Sequence, residues 1–322
     1  MEPAGSQFSN TAAGQSKAVL SVVIGTYNRL DQVQRCIESV LHETTTAIKV
    51  YVTDAGSTDG TIEYLRSIAS DRIIPLLTGQ RLGQARAYND VFATIDTPYV
   101  CWLSDDNKVV NCGLDRAVEI LRSDPKIGMV ALKTKDLQGP FMEAPYIGGI
   151  SVTGILNVNQ GMLPTSVLRN AGGFSEEFRD YGIDPALTAE VLFAGYKVVY
   201  TKIVALHHYR NWSEDPTSEA FKLLKERHAV AAKLYAETYG EERTLMYALR
   251  RQLSRQMRLA LSLMIPEDRL RRSALARDIA NSLSGKYINL LDLLLTLGKP
   301  YHLVQQIKSG SRRRRFTKKP DS

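Results

Sequence analysis

Two adjacent carboxylates, Asp105 and Asp106, close the apolar run Tyr99–Leu103. Like charges so close repel, and burial raises the pKa of one of them unless a cation sits there. Mg2+ and Mn2+ favour oxygen ligands and take one or two carboxylates plus substrate phosphates. The plainer alternative is a solvated turn or helix cap. Asp54 ends a second run, Ile48–Thr53, and leads into Ala-Gly-Ser-Thr-Asp-Gly-Thr. A carboxylate at a strand end accepts hydrogen bonds from a base N–H or a sugar hydroxyl, or it closes an Asx turn. For Asp59 the reading is a helix cap. His207 and His208 end a third run. Neutral imidazole can complete a metal site, with His207 preferred; a histidine bonded to backbone is the alternative. Trp212 stacks on a sugar ring or packs against the helical section.

Positioning these groups requires strands that end side by side. The pattern gives a strand at Leu20–Ile24, a helix at Leu30–Leu41 and a strand at Ile48–Thr53, then a helix at Thr58–Ile68. It continues with a strand at Arg72–Leu77, a helix at Gly83–Thr94 and a strand at Tyr99–Leu103. A helix at Cys112–Arg122 and a strand at Ile127–Leu132 follow. The stretch 136–161 reads as loop or antiparallel structure. Beyond it come a helix at Pro185–Ala194 and strands at Tyr196–Thr201 and Ile203–His207. Alternating strands and helices predict an α/β fold, a mainly parallel sheet covered on both faces. Ligands of such sheets bind beyond the C-terminal strand ends, where the polar loops Gly25–Asn28, Asp54–Asp59 and Ser104–Asn107 fall.

The 322 residues suffice for one large α/β domain with an appendage, and 44% hydrophobic content excludes a disordered or fibrous chain. The net charge of +7 is unevenly spread: −4 over residues 1–240 and +11 over 241–322. Cys36, Cys101 and Cys112 match no metal spacing and read as reduced thiols. The polar residues 1–17 lack the apolar core of a signal peptide, and no run approaches the ~18 apolar residues of a spanning helix.

Four segments together resemble glycosyltransferase family 2, whose members have the Rossmann-like GT-A nucleotide-sugar fold. They are Ser21-Val22-Val23-Ile24-Gly25-Thr26-Tyr27-Asn28-Arg29, Thr53-Asp54-Ala55-Gly56-Ser57-Thr58-Asp59-Gly60-Thr61, Leu103-Ser104-Asp105-Asp106-Asn107, and Gly172-Gly173-Phe174-Ser175-Glu176-Glu177-Phe178 with Tyr181-Gly182-Ile183-Asp184. The resemblance runs from Leu20 to about Trp212. It implies that Thr26, Tyr27 and Asn28 line the nucleoside pocket and that Asp54 bonds the base. Arg81 stands where a base- or phosphate-contacting residue is often found. Asp105 would hold the ribose or a metal water, Asp106 would ligate Mn2+ or Mg2+ directly, with His207 as a further ligand, and Asp184 would be the general base. Glu176, Glu177 and Asp180 are its rivals. The sequence departs from the family pattern at Gly25, often proline, at Ala55, usually an acid or Asn, at Ser104 and at Ile183.

The expected organisation is a leader at 1–17, a GT-A domain at 18–213, a helical region at 214–309 and a polybasic tail at 310–322. Helices are expected at Asp215–Tyr239 and Glu241–Met264, with shorter ones at Arg269–Ser282, Tyr287–Leu297 and Tyr301–Ile307. The basic helices and the tail, Arg312 to Lys319, predict an anionic membrane surface as partner. No nucleic-acid motif is present. The expected activity is an inverting transfer from a UDP- or dTDP-sugar to a hydroxyl of a glycan or lipid-linked acceptor, at the inner face of the cytoplasmic membrane. The rivals are a sugar nucleotidyltransferase, for which the loop after the first strand lacks a triphosphate cradle, and a non-catalytic glycan-binding subunit of a membrane complex.

Overall fold

The structure, a computed structural model, describes residues 17–138, 142, 145–148, 158–210 and 217–239. The first half alternates strictly: β1 (Leu20–Thr26), α1 (Leu30–His42), β2 (Ile48–Asp54), α2 (Thr61–Ser67), β3 (Ile73–Leu77), α3 (Gln84–Phe92) and β4 (Tyr99–Ser104). After these come β5 (Asn107–Val109), α4 (Gly113–Ser123), β6 (Ile127–Ala131), β7 (Thr134–Gln138) and β8 (Gly161–Pro164). The remainder is α5 (Thr165–Ala171), a single 3-10 turn at Glu176–Phe178, α6 (Ile183–Phe193), β9 (Lys197–Tyr200), β10 (Leu206–Tyr209) and α7 (Glu219–Tyr239).

The main sheet has the order β3-β2-β1-β4-β8-β6-β9. Only β8 runs antiparallel to its neighbours, so the sheet is mixed but dominated by parallel pairs. Its strands read as unbroken apolar runs because both faces are covered. Leu20, Val22 and Ile24 of β1 pack with Val33, Ile37 and Val40 of α1 on one face. Val23 points to the other face, into a core with Tyr88, Trp102 and Phe174. Truncating such a side chain, as in Ile37→Ala, costs about 2–5 kcal/mol. A second, three-stranded sheet has the order β5-β10-β7.

The expected alternation holds through β6, with shifted ends. α2 begins at Thr61 rather than Thr58, because Gly60 holds a left-handed φ of 93° just before it. The last strand lies at Leu206–Tyr209 instead of Ile203–His207. The short strands β5, β7 and β8 carry too few residues to show periodicity, and distant partners define them.

α7 begins the region expected at 214–309 and packs against the sheet-and-helix body. Tyr235 and Tyr239 are buried in the same core as Trp102 and Phe174. Residues 1–16, Trp212, everything beyond Tyr239 and therefore the later helices and the polybasic tail lie outside the described residues. Among the described residues, no helix is long and apolar enough to cross a membrane. Cys36 and Cys101 are buried free thiols and Cys112 is an exposed one.

Candidate active site

β1, β2 and β4 end at one level, since Thr26 pairs in register with Asp54 and Gly25 with Ser104. The chain leaves β4 straight into Asp105 and Asp106, which are 4% and 9% exposed. Thr26 Oγ1 donates to Asp105 Oδ2 across 2.9 Å. The Arg29 guanidinium reaches both carboxylates through one nitrogen, 2.9 Å from Asp105 Oδ1 and 3.4 Å from Asp106 Oδ2. Burial is the largest influence on Asp105 and pushes it up to about 6; Arg29 opposes this and Asp106 adds to it. Asp106 ends below its ordinary value, because hydrogen bonding to His208 and the charges of His208, Arg29 and Arg210 outweigh burial.

The second sheet delivers the histidine. β10 pairs antiparallel with β5, His208 opposite Asn107, and Tyr209 N donates to Asp106 O across 2.8 Å. His208 Nε2 stands 3.0 Å from Asp106 Oδ1. Its Nδ1 lies 3.1 Å from Asp136 Oδ1 and 3.1 Å from the Tyr146 hydroxyl. Arg210 closes the group, with Nε 3.1 Å from Asp136 Oδ2. Burial lowers the affinity of His208 for its proton, but the two carboxylates outweigh it and push the imidazole up to about 9. The expectation of His207 as the metal-side residue is corrected: successive strand residues face opposite ways, and His208 is the one that faces Asp106.

The residues fit a divalent cation. Asp106 Oδ1 is buried and makes no well-directed hydrogen bond, for although His208 Nε2 is 3.0 Å away it lies off the favourable line. That spacing is also the one between neighbouring ligands of an octahedral ion with bonds of about 2.1 Å. Among the described residues no three His, Cys, Asp or Glu side chains form a cage. Substrate oxygens would have to supply most of the shell, as Mg2+ and Mn2+ sites on diphosphates commonly arrange.

Asp54 is fully buried, and its own loop uses both oxygens. Oδ1 accepts from Gly56 N and Ser57 N at 2.9 Å each, and Oδ2 accepts from the Ser57 hydroxyl. It therefore closes an Asx-type turn. Asn28 ties that turn to β1: its N–H donates to Ser57 Oγ at 2.8 Å and its Oδ1 accepts from Thr58 N at 2.7 Å. Asp59 accepts from Leu30 N and Thr61 N, at the starts of α1 and α2. Tyr27 and Arg81 meet at the rim, with Arg81 Cζ 4.1 Å from the ring centroid.

Asp184 lies in the first turn of α6, after Gly182 with φ 89°. A Cβ on Gly182 would come 2.6 Å from the Phe178 ring, so the turn requires glycine. Trp102 Nε1 points at Asp184 Oδ1 across 3.2 Å. The residue keeps an intermediate share of its surface open. Partial burial pushes Asp184 up to about 8, against the pull of the Trp102 N–H. Its rivals are engaged or open: Asp180 accepts from Gln84 N at 2.9 Å, Glu176 approaches Arg86 and Asn89, and Glu177 is exposed. Tyr88 ties the ends of β1 and β4 together. Its hydroxyl accepts from Gly25 N at 2.9 Å and donates to Leu103 O at 2.7 Å.

Arg29, Trp102, Asp136 and Tyr88 had no assigned role in the sequence. For Arg29 the signal was present, since it ends the first of the four motif segments.

Residues 21–142 match the family model described as glycosyl transferase family 2. An uncharacterized glycosyltransferase of Nostoc sp. is 32% identical over 114 residues, 34% of this chain and 35% of that protein. The UDP-Glc:alpha-D-GlcNAc-diphosphoundecaprenol beta-1,3-glucosyltransferase WfaP of Escherichia coli is 26% identical over 106 residues, 33% of this chain and 42% of that protein. The matches thus span well under half the length of these curated relatives. Among solved structures, the mannosyltransferase PcManGT of Pyrobaculum calidifontis, determined with GDP-Man and Mn2+, superposes with a TM-score of 0.52 at 17% identity, covering 96% of this chain and 91% of that one. The likeness establishes a shared GT-A fold.

Proposed function

With residues 21–142 matching the glycosyl transferase family 2 model, we propose that the chain is an inverting glycosyltransferase of that family. In this reading it moves a sugar from a UDP- or dTDP-sugar to a hydroxyl of a glycan or lipid-linked acceptor in cell-envelope polysaccharide or glycolipid synthesis. The observation that carries the reading is the meeting of Asp105, Asp106, Arg29 and His208 at the end of β4, with one buried oxygen of Asp106 set 3.0 Å from His208 Nε2 but without a well-directed hydrogen bond. The UDP-Glc in the name of the Escherichia coli relative favours a uridine donor.

Asp106 and His208 would hold Mn2+ or Mg2+, which when bound supplies positive charge to the departing nucleoside diphosphate. Thr26 fixes one oxygen of Asp105, leaving that carboxylate oriented towards ribose or a bound water. Tyr27 and Arg81 line the nucleoside end, and Asn28 with Asp54 keeps the loop beneath it in shape. Asp184 takes the proton of the acceptor hydroxyl; a base poised near the working pH suits that step. An inverting displacement needs this single base, opposite the leaving group.

The basic segment beyond residue 240 is the proposed contact with an anionic membrane surface, which places the protein peripherally on the cytoplasmic side. Removing residues 311–322 should weaken binding to phosphatidylserine vesicles at low salt; unchanged binding argues against the contact. The transferase reading is tested by calorimetry with UDP and Mn2+, alone and together. Binding of UDP strengthened by Mn2+ supports it, and nucleotide binding indifferent to Mn2+ speaks for a non-catalytic subunit.

A further inference from the structure

Arg29 occupies an unusual place. It leaves the turn between β1 and α1 and sets one guanidinium nitrogen against both strand-end carboxylates, while its side chain remains 41% exposed. The two acids it touches are 5% and 11% exposed in their side chains. Two adjacent buried carboxylates need compensating charge, and Arg29 supplies it from the open side of the site. The other cation in contact with Asp106 is His208, on the opposite oxygen. Thus Oδ2 of Asp106 faces Arg29 and Oδ1 faces His208, and only Oδ1 lacks a well-directed hydrogen bond.

Resting on the metal-assisted reading above, we propose that Arg29 is an exchangeable counter-cation. In the free protein it neutralises Asp105 and Asp106, competes with a divalent ion and keeps ion binding weak. When metal and nucleoside diphosphate arrive together, the ion takes over the charge of Asp106 and the exposed guanidinium turns to the phosphates. Guanidinium suits both states, since its fork of donors matches carboxylate and phosphate alike. The consequence is mutual dependence: neither metal nor nucleotide binds well without the other.

The experiment measures Mn2+ binding by water-proton relaxation and by thermal shift, with and without UDP, for the full chain and for Arg29→Met. The proposal expects the variant to bind Mn2+ alone at least about tenfold tighter than the unaltered protein, because a neighbouring positive charge has gone. The variant should melt lower without Mn2+ and regain more on its addition. With UDP present the order should reverse, because the phosphates lose their guanidinium partner. Equal or weaker Mn2+ binding by the variant, with Mn2+ and UDP still binding together to the unaltered protein, overturns the proposal and leaves the transferase reading standing. Failure of the unaltered protein to bind Mn2+ even with UDP removes the metal reading itself. Should Arg29→Met not fold, Arg29→Lys serves: a single ammonium spans the two carboxylates poorly, so Mn2+ affinity should be intermediate, and affinity equal to the unaltered protein overturns the proposal.

Discussion

The indole N–H of Trp102 points at Oδ1 of Asp184 across 3.2 Å, so the strand that leads into Asp105 and Asp106 also carries the donor that holds the proposed base. The same N–H lies 3.1 Å from Asn159 O. Trp102 favours the ionised form of Asp184 against the burial that disfavours it. Trp102→Phe keeps a ring in the core but removes that donor. Asp184 should then be harder to ionise, and the rising limb of the pH–rate profile should move to higher pH. Turnover near neutrality should fall several-fold while the affinity for UDP with Mn2+ stays put. A limb that does not move would show that the N–H leaves the base unaffected.

Asp184→Asn should lower turnover by about 10^2–10^4-fold with little change in donor affinity. An equal loss in both would point to a binding role. The same substitution has a stability signature. Asp184 is raised from 3.8 to about 8, so the fold prefers its protonated form. That preference stabilises fully below about pH 4 and is lost as pH rises towards 8. Asparagine stays neutral throughout. The variant should therefore melt higher than the parent at pH 8, by about 2–6 °C, with the gap closing as pH falls towards 5.

Asp106→Ala should abolish metal-dependent turnover while the protein stays folded, and EDTA should silence the unaltered protein until Mn2+ is restored. His208→Ala should weaken Mn2+ binding in the presence of UDP by at least about tenfold. His207→Ala, one residue away on the other face of β10, should leave that binding nearly unchanged. Comparable losses from both histidines would contradict the strand register that sends His208 to Asp106.

Asp54→Ala should act on the loop before it acts on the nucleotide. It leaves Gly56 N and Ser57 N without their acceptor and loosens Ser57, to which Asn28 is tied. A loss of about 2–3 kcal/mol is expected, read in a denaturant midpoint. Selectivity among UDP, GDP and dTDP should be largely kept. A change of base preference without a loss of stability would restore the direct base contact.

The alternation of main-sheet strands with helices was legible because the central strands β1, β2, β4 and β6 are apolar and buried almost throughout and each helix has one apolar stripe. The strand-end loops were legible for the same reason, since polar residues stand out where apolar runs stop. The second sheet was not. β5 has three residues and β10 four, and they pair with each other across nearly a hundred residues of chain. That pairing alone decides which histidine faces Asp106, and one step of register exchanges His207 for His208. Asp54 was ambiguous on the page because an Asx turn and a base contact ask for the same residue type. In the structure the turn's own N–H groups donate to it.

Gly25 stands where the family resemblance leads to an expectation of proline, and the contact with Tyr88 explains what that departure entails. A Cβ on Gly25 would meet the Tyr88 ring at 2.8 Å, and its N–H donates to the Tyr88 hydroxyl. Proline lacks the hydrogen and adds the carbon. The two positions are therefore coupled: proline at 25 calls for a smaller residue at 88, and the tyrosine at 88 calls for glycine at 25.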